Sequence, residues 1–294
     1  MDGIFNINKP AGQTSFSVVA RIRRLSNERR VGHAGTLDPA ATGVLPVCLG
    51  KATRIIEFLV DTTKRYKAEI ELGATTDTYD SSGQITHRSD PADITREQLD
   101  ITLGSFRGII QQTPPMYSAV KHRGQPLYKL ARRGIDIERK SRPVTIHRLE
   151  IKNWREPVIT TEIECSKGTY IRSLAHDLGK TLGCGAHLKS LVRTGCGDFN
   201  VEDSISMPEL EEAFYHGYWQ QFAFPIDKAL GHQRAVVVNE ATEEMIRRGQ
   251  HVLLETGGNT SQKYCRVYSV DGRFLAVLES TSAENTWQPK KVLI

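Results

Sequence analysis

Apolar and charged residues alternate from Lys64 to Leu72, with Tyr66, Ala68, Ile70 and Leu72 on one side. A period of two predicts a half-buried strand. Val144 to Trp154 and Val158 to Cys165 alternate in the same way and predict a strand pair. Gly3 to Asn8 predicts a short strand, closed by the turn residues Lys9-Pro10-Ala11-Gly12. Val18, Val19, Ile22 and Leu25 repeat at helical spacing, which predicts a helix over Phe16 to Leu25 with Ser15 as its cap. Further helices are predicted at Lys51 to Val60, Thr95 to Leu103, Leu127 to Arg133 and from Tyr170 through Leu182, the last ended by Gly183 and Gly185. His187 to Arg193 begins another short element, and Glu202 to Ala213 leads a connecting helix. Gly32 to Gly50 and the start of Gln111 to Arg133 are rich in Gly and Pro and predict irregular chain.

The pattern changes near Arg234. Val236 to Val238, Tyr264 to Ser269 and Phe274 to Glu279 predict short strands, with Asp271-Gly272 as a tight turn. The chain therefore divides into a large unit, 1–230, and a small β-rich unit, 231–294.

Composition narrows the choice of function. A chain of 294 residues buries about three quarters of its unfolded surface without needing a disulfide or metal. Its net charge is +5 and its pI about 8.9. That balance permits a nucleic-acid partner without requiring one, since such domains usually exceed a pI of about 9. Arg21, Arg23, Arg24, Arg29 and Arg30 crowd the first helix and its exit, where a solvated face is the stronger reading for each alone and a phosphate contact is open to them as a cluster. The five cysteines are widely spaced with no C-x-x-C pair, and the nine histidines show no H-E-x-x-H spacing. Reduced thiols are expected, and neither a metal nor a cofactor. The first residues lack the apolar stretch of a signal peptide, and no run of about 18 apolar residues occurs, so the expected location is the cytoplasm.

The most informative stretch is Gly32-His33-Ala34-Gly35-Thr36-Leu37-Asp38-Pro39. A carboxylate in a loop hemmed by Gly and Pro suits catalysis. On these eight residues alone, an Asp-Pro that merely opens a turn is the stronger reading. The wider sequence reverses that. GHAGTLDPAATGVLPVCLGKATR resembles the catalytic motif of the TruB family of bacterial tRNA pseudouridine-55 synthases. NKPAGQTS, KRYKAEIELGATTDTYDSSG, QQTPPMYSAVKHRGQPLYKLARRG and CSKGTYIRSLAHDLGKTLGCGAHLKSLVRTGCGDF resemble four further family blocks. The blocks run in family order from about residue 3 to residue 200. VYSVDGRFLAVLES and WQPKKVLI resemble a PUA-type RNA-binding module more loosely.

The resemblance implies an α+β fold: a mixed, mostly antiparallel sheet flanked by helices and loops, plus a small β-rich, PUA-like C-terminal domain. It implies isomerisation of the T-loop uridine at position 55 of tRNA, in the cytoplasm, by a monomer that needs no cofactor, metal, membrane or protein partner. Asp38 falls at the catalytic aspartate, Tyr66 at a tyrosine that stacks on the base, and Arg172 at an arginine paired with that aspartate. Tyr170 and Leu191 fall at positions lining the uridine pocket. His33 falls at a residue that fills space vacated in the T loop, and Lys9 and Pro10 at a supporting motif. Arg54 and Asp80 match positions near the site.

The chemistry accepts these roles. The reaction breaks the bond from C1′ to N1, turns the uracil and joins C1′ to C5, with no net oxidation. Asp38 serves either as a nucleophile at C1′ or as a base at C2′. A neighbouring Arg172 is expected to lower the Asp38 pKa by about 1–3 units. Flipping the base out costs a few kcal/mol, and stacking on Tyr66 returns about 1–3 kcal/mol. Without the resemblance, a buried strand tyrosine is the stronger reading of Tyr66; Tyr170 and Leu191 read equally well as core, and His33 reads as a loop histidine bonded to backbone. Lys64, Arg65, Lys67, Lys121, Arg123, Arg132 and Arg133, with Tyr117 and Tyr128, form a candidate stripe for the RNA backbone. Two other functions stay in view: a guide-RNA-dependent synthase acting on ribosomal RNA, and an RNA-folding chaperone. An aspartate-based glycosidase lacks its second carboxylate.

Overall fold

The computed structural model describes residues 1–254, 263–283 and 285–294. The chain opens with β1 (Gly3–Lys9), α1 (Ser15–Ser26), β2 (Val31–His33) and β3 (Thr42–Leu49). A 3-10 turn at Gly50–Ile55 and a short helix at Ile56–Val60 lead into β4 (Lys64–Leu72). After α2 (Arg96–Ser105) come β5 (Gly108–Gln112), β6 (Arg142–Arg155) and β7 (Val158–Cys165). Then follow α3 (Ile171–Leu182), β8 (Ala186–Cys196), β9 (Ile205–Ser206) and α4 (Met207–His216). The C-terminal part holds β10 (Arg234–Val238), α5 (Glu240–Arg247), β11 (Val252–Leu253), β12 (Tyr264–Ser269), β13 (Phe274–Ser280) and β14 (Thr286–Val292).

Eight strands of an 11-stranded sheet run in the order β9-β1-β3-β8-β4-β7-β6-β5; β2 adds beside β3, and two-residue strands at Phe199–Asn200 and Ala223–Phe224 pair with β8 and β1. Along this path only β9–β1 and β3–β8 are parallel, so the sheet is mixed and mostly antiparallel. Alternation in β4 does what its pattern predicts: Ala68, Ile70 and Leu72 are buried under Ile171, Leu174, Ala175 and Leu178 of α3. A second core, with Val18, Val19 and Ile22 of α1, covers β1 and β3.

The two halves of the sheet meet at a narrow seam. β3 and β8 pair only at Thr42 with Val192 and Gly43 with Arg193. A Cβ on Gly43 would stand 2.2 Å from the Arg193 carbonyl oxygen, and its φ of 98° lies in the left-handed region. Glycine is what lets the strands close here.

Several expectations change. β3 is a regular strand inside the block expected to be irregular, because seven of its eight residues are buried and its apolar run continues through Pro46. Thr14, not Ser15, caps α1 by accepting from the Ser17 N–H. The predicted helix over Lys51 to Val60 is half 3-10. In the C-terminal part, α5 and β14 were not foreseen. There a five-stranded sheet, β10-β12-β13-β14-β11, encloses its own core of Ile246, Cys265, Val267, Leu275 and Trp287. Its other side joins the larger unit: Val277 and Leu293 pack with Ile4, Phe58 and Leu230, and Phe58 meets Tyr264 edge to face at 5.1 Å. All five cysteines are buried and unpaired. Among the described residues, no helix is long and apolar enough to cross a membrane, and no cluster of three or more His, Cys, Asp or Glu stands ready for a metal.

The seam makes a stability prediction. Gly43→Ala forces a Cβ against backbone at a left-handed φ and should lower the unfolding free energy by at least about 2 kcal/mol. Gly104→Ala in α2, where a Cβ meets nothing within 4 Å, should raise it by about 0.4–1 kcal/mol. Urea unfolding of both variants checks the pair.

Candidate active site

Asp38 lies between β2 and β3, at the level of the seam. Its carbonyl accepts from the Ala41 N–H at 3.1 Å, so the Asp-Pro does open a turn, and the turn presents the carboxylate. Three ties fix this loop from below. The Ser15 hydroxyl donates to the Leu37 carbonyl and accepts from its N–H. The Gly12 N–H donates to the Pro39 carbonyl at 2.8 Å. The fully buried Lys9 ammonium donates to the carbonyls of Pro10, Gln13 and Pro39, lacing the first turn to the Asp38 loop. Lys9 and Pro10 are thus the underside of the site.

Arg172 comes from the first turn of α3. That turn is held by Gln112, whose side-chain amide brackets the backbone of Tyr170, donating to its carbonyl and accepting from its N–H. Ser173 adds a bond to the Thr113 carbonyl. The guanidinium is 5% exposed and holds Asp38 by one hydrogen bond, from Nη2 to Oδ1 at 3.0 Å, while Nε lies 2.9 Å from Oδ2 as an ion-pair contact without hydrogen-bond geometry. A charge-assisted hydrogen bond beside a close ion-pair contact orients the carboxylate as well as balancing its charge. Arg172 also donates to the carbonyls of Tyr117 and Thr78, and its Nε lies 3.6 Å from the Asp80 carboxylate.

Asp80 is held in turn by the Thr78 and Ser82 hydroxyls and the Ser82 N–H. The turn that carries it includes Tyr79, a non-glycine residue at φ 64°. The Tyr79 ring lies flat on His176, one helical turn beyond Arg172, with centroids 3.8 Å apart. That stack, and the Leu188 N–H on the Tyr79 carbonyl, hold a backbone conformation that costs about 1 kcal/mol or more. Neither Tyr79 nor His176 was singled out by the sequence. Their partnership joins α3 to a turn nearly a hundred residues earlier, which no local pattern signals.

Electrostatics correct one expectation. Burial is the largest influence on Asp38 and lifts its pKa above the ordinary carboxylate value. Arg172 and Lys9 pull it down, Asp80 pushes it further up, and burial prevails. The net shift is upward, not the lowering that the ion pair alone implies. The Asp38 side chain is still 38% exposed, so water at the mouth limits the rise. Lys9 is brought down to about 8 by burial, against the attraction of Asp38. Burial pushes the Tyr66 phenol up to about 12, partly opposed by Arg193. A phenol so weakly acidic stays protonated at neutral pH and is no base there.

Tyr66 reaches the Asp38 loop through Arg193. The two residues are direct partners across β4 and β8, so their side chains share a face. Arg193 donates from Nη2 to the Gly35 carbonyl and from Nε to the Val44 carbonyl. Leu191 pairs with Ala68 on the same strands and is half-buried against the α3 core. His33 ends β2; burial and then Arg193 lower its pKa, so it is neutral, and its Nδ1 finds no partner among the described residues. The Tyr170 ring faces the Arg142 guanidinium at 5.2 Å. Arg54 is engaged elsewhere: it is exposed and donates to the Val292 carbonyl of β14, tying the C-terminal sheet on. Lys64 leaves the proposed RNA stripe, because it is 5% exposed and its ammonium caps the short helix through the Leu59, Val60 and Thr62 carbonyls. Lys121 and Arg123 are exposed on a small hairpin, and Arg132 covers Tyr128 at 5.6 Å.

With this geometry in hand, comparison with known proteins is informative. Residues 23–171 match the N-terminal domain of the TruB family pseudouridylate synthases. Residues 172–231 match the C-terminal domain of tRNA pseudouridylate synthase B. The chain belongs to the TruB family. A Dehalococcoides mccartyi relative named tRNA pseudouridine synthase B is 49% identical over 294 residues, covering 100% of this chain and 97% of its own. A relative of the same name from Heliobacterium modesticaldum is 41% identical, covering 99% and 95%. Among solved structures, this TruB-family chain superposes on "Structure of H/ACA RNP bound to a substrate RNA containing 2'-deoxyuridine" with TM-score 0.77 and 25% identity. "Crystal Structure of a Cbf5-Nop10-Gar1 Complex" gives TM-score 0.77 and 27% identity, and both cover 99% of this chain and 85% of that one. The family model ends at residue 231, just before β10 begins the C-terminal sheet.

The charge cluster yields a measurable order of pKa values. Asp80→Asn removes a like charge and should lower the Asp38 pKa, whereas Arg172→Met removes the main opposing cation and should raise it. Carbon-13 titration of the Asp38 carboxyl reads both shifts, and shifts of the same sign would refute the assignment of causes.

Proposed function

We propose that this chain converts the T-loop uridine at position 55 of tRNA to pseudouridine, with Asp38 as the catalytic carboxylate. The observation that carries the reading is the hydrogen-bonded Asp38–Arg172 ion pair at the seam of a TruB-family fold. The pair aims one carboxylate oxygen pair at an open mouth, while Lys9 and Ser15 keep its loop from yielding. Tyr66 offers an aromatic face for a flipped base, and Leu191 adds an apolar wall beside it. His33, neutral and with a free ring nitrogen, is suited to fill space in an RNA loop from which a base has left.

Tyr66 is the stacking group and not the proton acceptor, since burial holds its phenol at about 12. Asp38 acts on the sugar in its ionised form, as a base at C2′ or a nucleophile at C1′. The C-terminal unit, 231–294, is proposed as an accessory RNA-binding domain, anchored by Arg54 and by the Lys291–Glu57 ion pair. The relatives named above act, by name, on tRNA and match this chain over nearly their full length. That favours a stand-alone tRNA enzyme over a guide-dependent one, and activity as a monomer in the cytoplasm belongs to the same proposal.

Two measurements test this reading. Wild-type protein should release tritium from an unmodified tRNA transcript labelled at uridine C5, with carbodiimide mapping showing one product at the T loop. Asp38→Asn should release it at least about 1,000-fold more slowly, within the range expected for losing a group of this kind. Equal rates would remove Asp38 from the chemistry, and RNA remodelling that survives in the variant would belong to a separate chaperone role. The pH profile gives the second test. Asp38 must be ionised and its pKa is raised, so activity is full above that pKa and falls as pH drops through it. The acid limb of kcat/KM should therefore lie above the ordinary value of about 3.9, and Asp80→Asn should move it downward.

A further inference from the structure

Arg193 is the largest fully buried side chain among the described residues, at 1% exposure. Its hydrogen bonds go to two carbonyls, Val44 and Gly35, and among the described residues no carboxylate lies within ion-pair distance. That is an unusual place for a guanidinium. A buried charge ordinarily takes a counter-ion, because neutral carbonyls do not replace the water it gives up. The strand around it gives no reason of its own, since Leu191 two positions earlier packs on the apolar core of the same face.

What surrounds Arg193 is the active site. Tyr66 stands directly opposite on β4. The Gly35 carbonyl it grips is three residues before Asp38, and the Val44 carbonyl lies just past the seam. Its field reaches His33 and Lys9, lowering both, and opposes the effect of burial on Tyr66. Asp38 does not neutralise it, because that carboxylate is committed to Arg172. The site therefore holds one cation in surplus, on the strand position directly opposite Tyr66.

We propose that Arg193 is a positioning residue whose uncompensated charge, acting through Tyr66 and the Asp38 loop, stabilises the detached uracil anion. The inference rests on the uridine-isomerising reading above. When the C1′–N1 bond breaks, its electron pair leaves with the uracil. In the base route Asp38 takes the C2′ proton, and the C2′–H pair becomes the C1′=C2′ double bond. In the nucleophile route Asp38 forms a bond to C1′. Either way the base carries a negative charge until C5 bonds to C1′. A cation that is already in place, shielded from water and needing no rearrangement, lowers the energy of that anion most. Tyr66, protonated throughout and backed by the guanidinium, is the surface the anion turns against.

The test separates charge from shape. T-stem-loop RNA is prepared with uridine or 5-fluorouridine at the target position, and single-turnover consumption of each is measured for wild type, Arg193→Lys and Arg193→Met. Fluorine withdraws electrons and makes the departing base a more stable anion, so it needs less help. Arg193→Met should slow consumption of uridine about 100-fold, with RNA affinity within about threefold. Its loss with 5-fluorouridine should be at least about fivefold smaller, and Arg193→Lys should restore most of the rate. Should Arg193→Met fail to melt cooperatively, Arg193→Gln takes its place, keeping a donor for the carbonyls without the charge. Equal losses on the two bases, or a Lys variant as slow as the neutral one, would overturn the proposal and leave Arg193 a purely structural clamp. Wild-type protein and Asp38→Asn run beside them report on the parent reading alone: equal consumption by these two sinks the Asp38 chemistry whatever Arg193 does.

Discussion

Arg172 cannot be left without partners, and much of the site follows from that constraint. A guanidinium 5% exposed has to find acceptors for its donors or cost several kcal/mol. It finds them in three stretches of chain that are distant in sequence: the Asp38 loop, the Thr78–Asp80 turn and the Tyr117 backbone. Each of these is irregular chain with little stability of its own. The arginine is their common fastening, and the helix that presents it is in turn nailed down by Gln112 and Ser173. A carboxylate aimed at a substrate is one product of that arrangement. A strained Tyr79, kept in place by His176, is another.

The seam between β3 and β8 has the complementary task. A sheet that continued in register through this point would leave no opening for a nucleotide. Two residue pairs are enough to hold the halves together, and Gly43 is what allows the contact at all. Because pairing stops so soon, the loop between β2 and β3 is free to carry Asp38 out of the sheet. The ties from Lys9, Gly12 and Ser15 supply from below the rigidity that missing strand pairing would otherwise have given. Precision within about half an ångström, which catalysis requires of its groups, is reached with loops because buried side chains over-determine them.

The periodic parts of this architecture were legible in the sequence. The alternation in Lys64–Leu72 and Val158–Cys165 names those strands to the residue, because one side of each faces a core. β3 was not legible, since a strand buried on both faces shows no alternation and Pro46 argues against a central position. Asp38, Tyr66 and Arg172 emerged only through whole blocks resembling a family; the octapeptide by itself favoured a turn, and a turn is indeed there. Arg54 and Lys64 show the limit of reading charge from sequence. One is spent on the C-terminal sheet and the other on a helix end, and both look like surface cations until the fold is known. Arg193 shows the reverse: a basic residue among apolar neighbours in a strand is a signal, but its meaning depends on which carbonyls and which tyrosine the strand brings to it.

The active site also reconciles two opposed demands. Chemistry on a sugar is helped by a site from which water is excluded, and exclusion disfavours the ionised carboxylate that the chemistry uses. Here burial does raise the Asp38 pKa, and the cations do not wholly cancel the effect. A carboxylate held far below its ordinary value is a weaker base and nucleophile, so on the proposed reading the upward shift favours reactivity while the cations favour the ionised form. Arg172 orients and moderates it, Lys9 supports from beneath, and Asp80 prevents the pair of cations from over-stabilising it. Positive charge placed directly on Asp38 would blunt the reagent. On the proposed reading, positive charge placed opposite Tyr66, where Arg193 stands, spares the reagent and acts on what it releases.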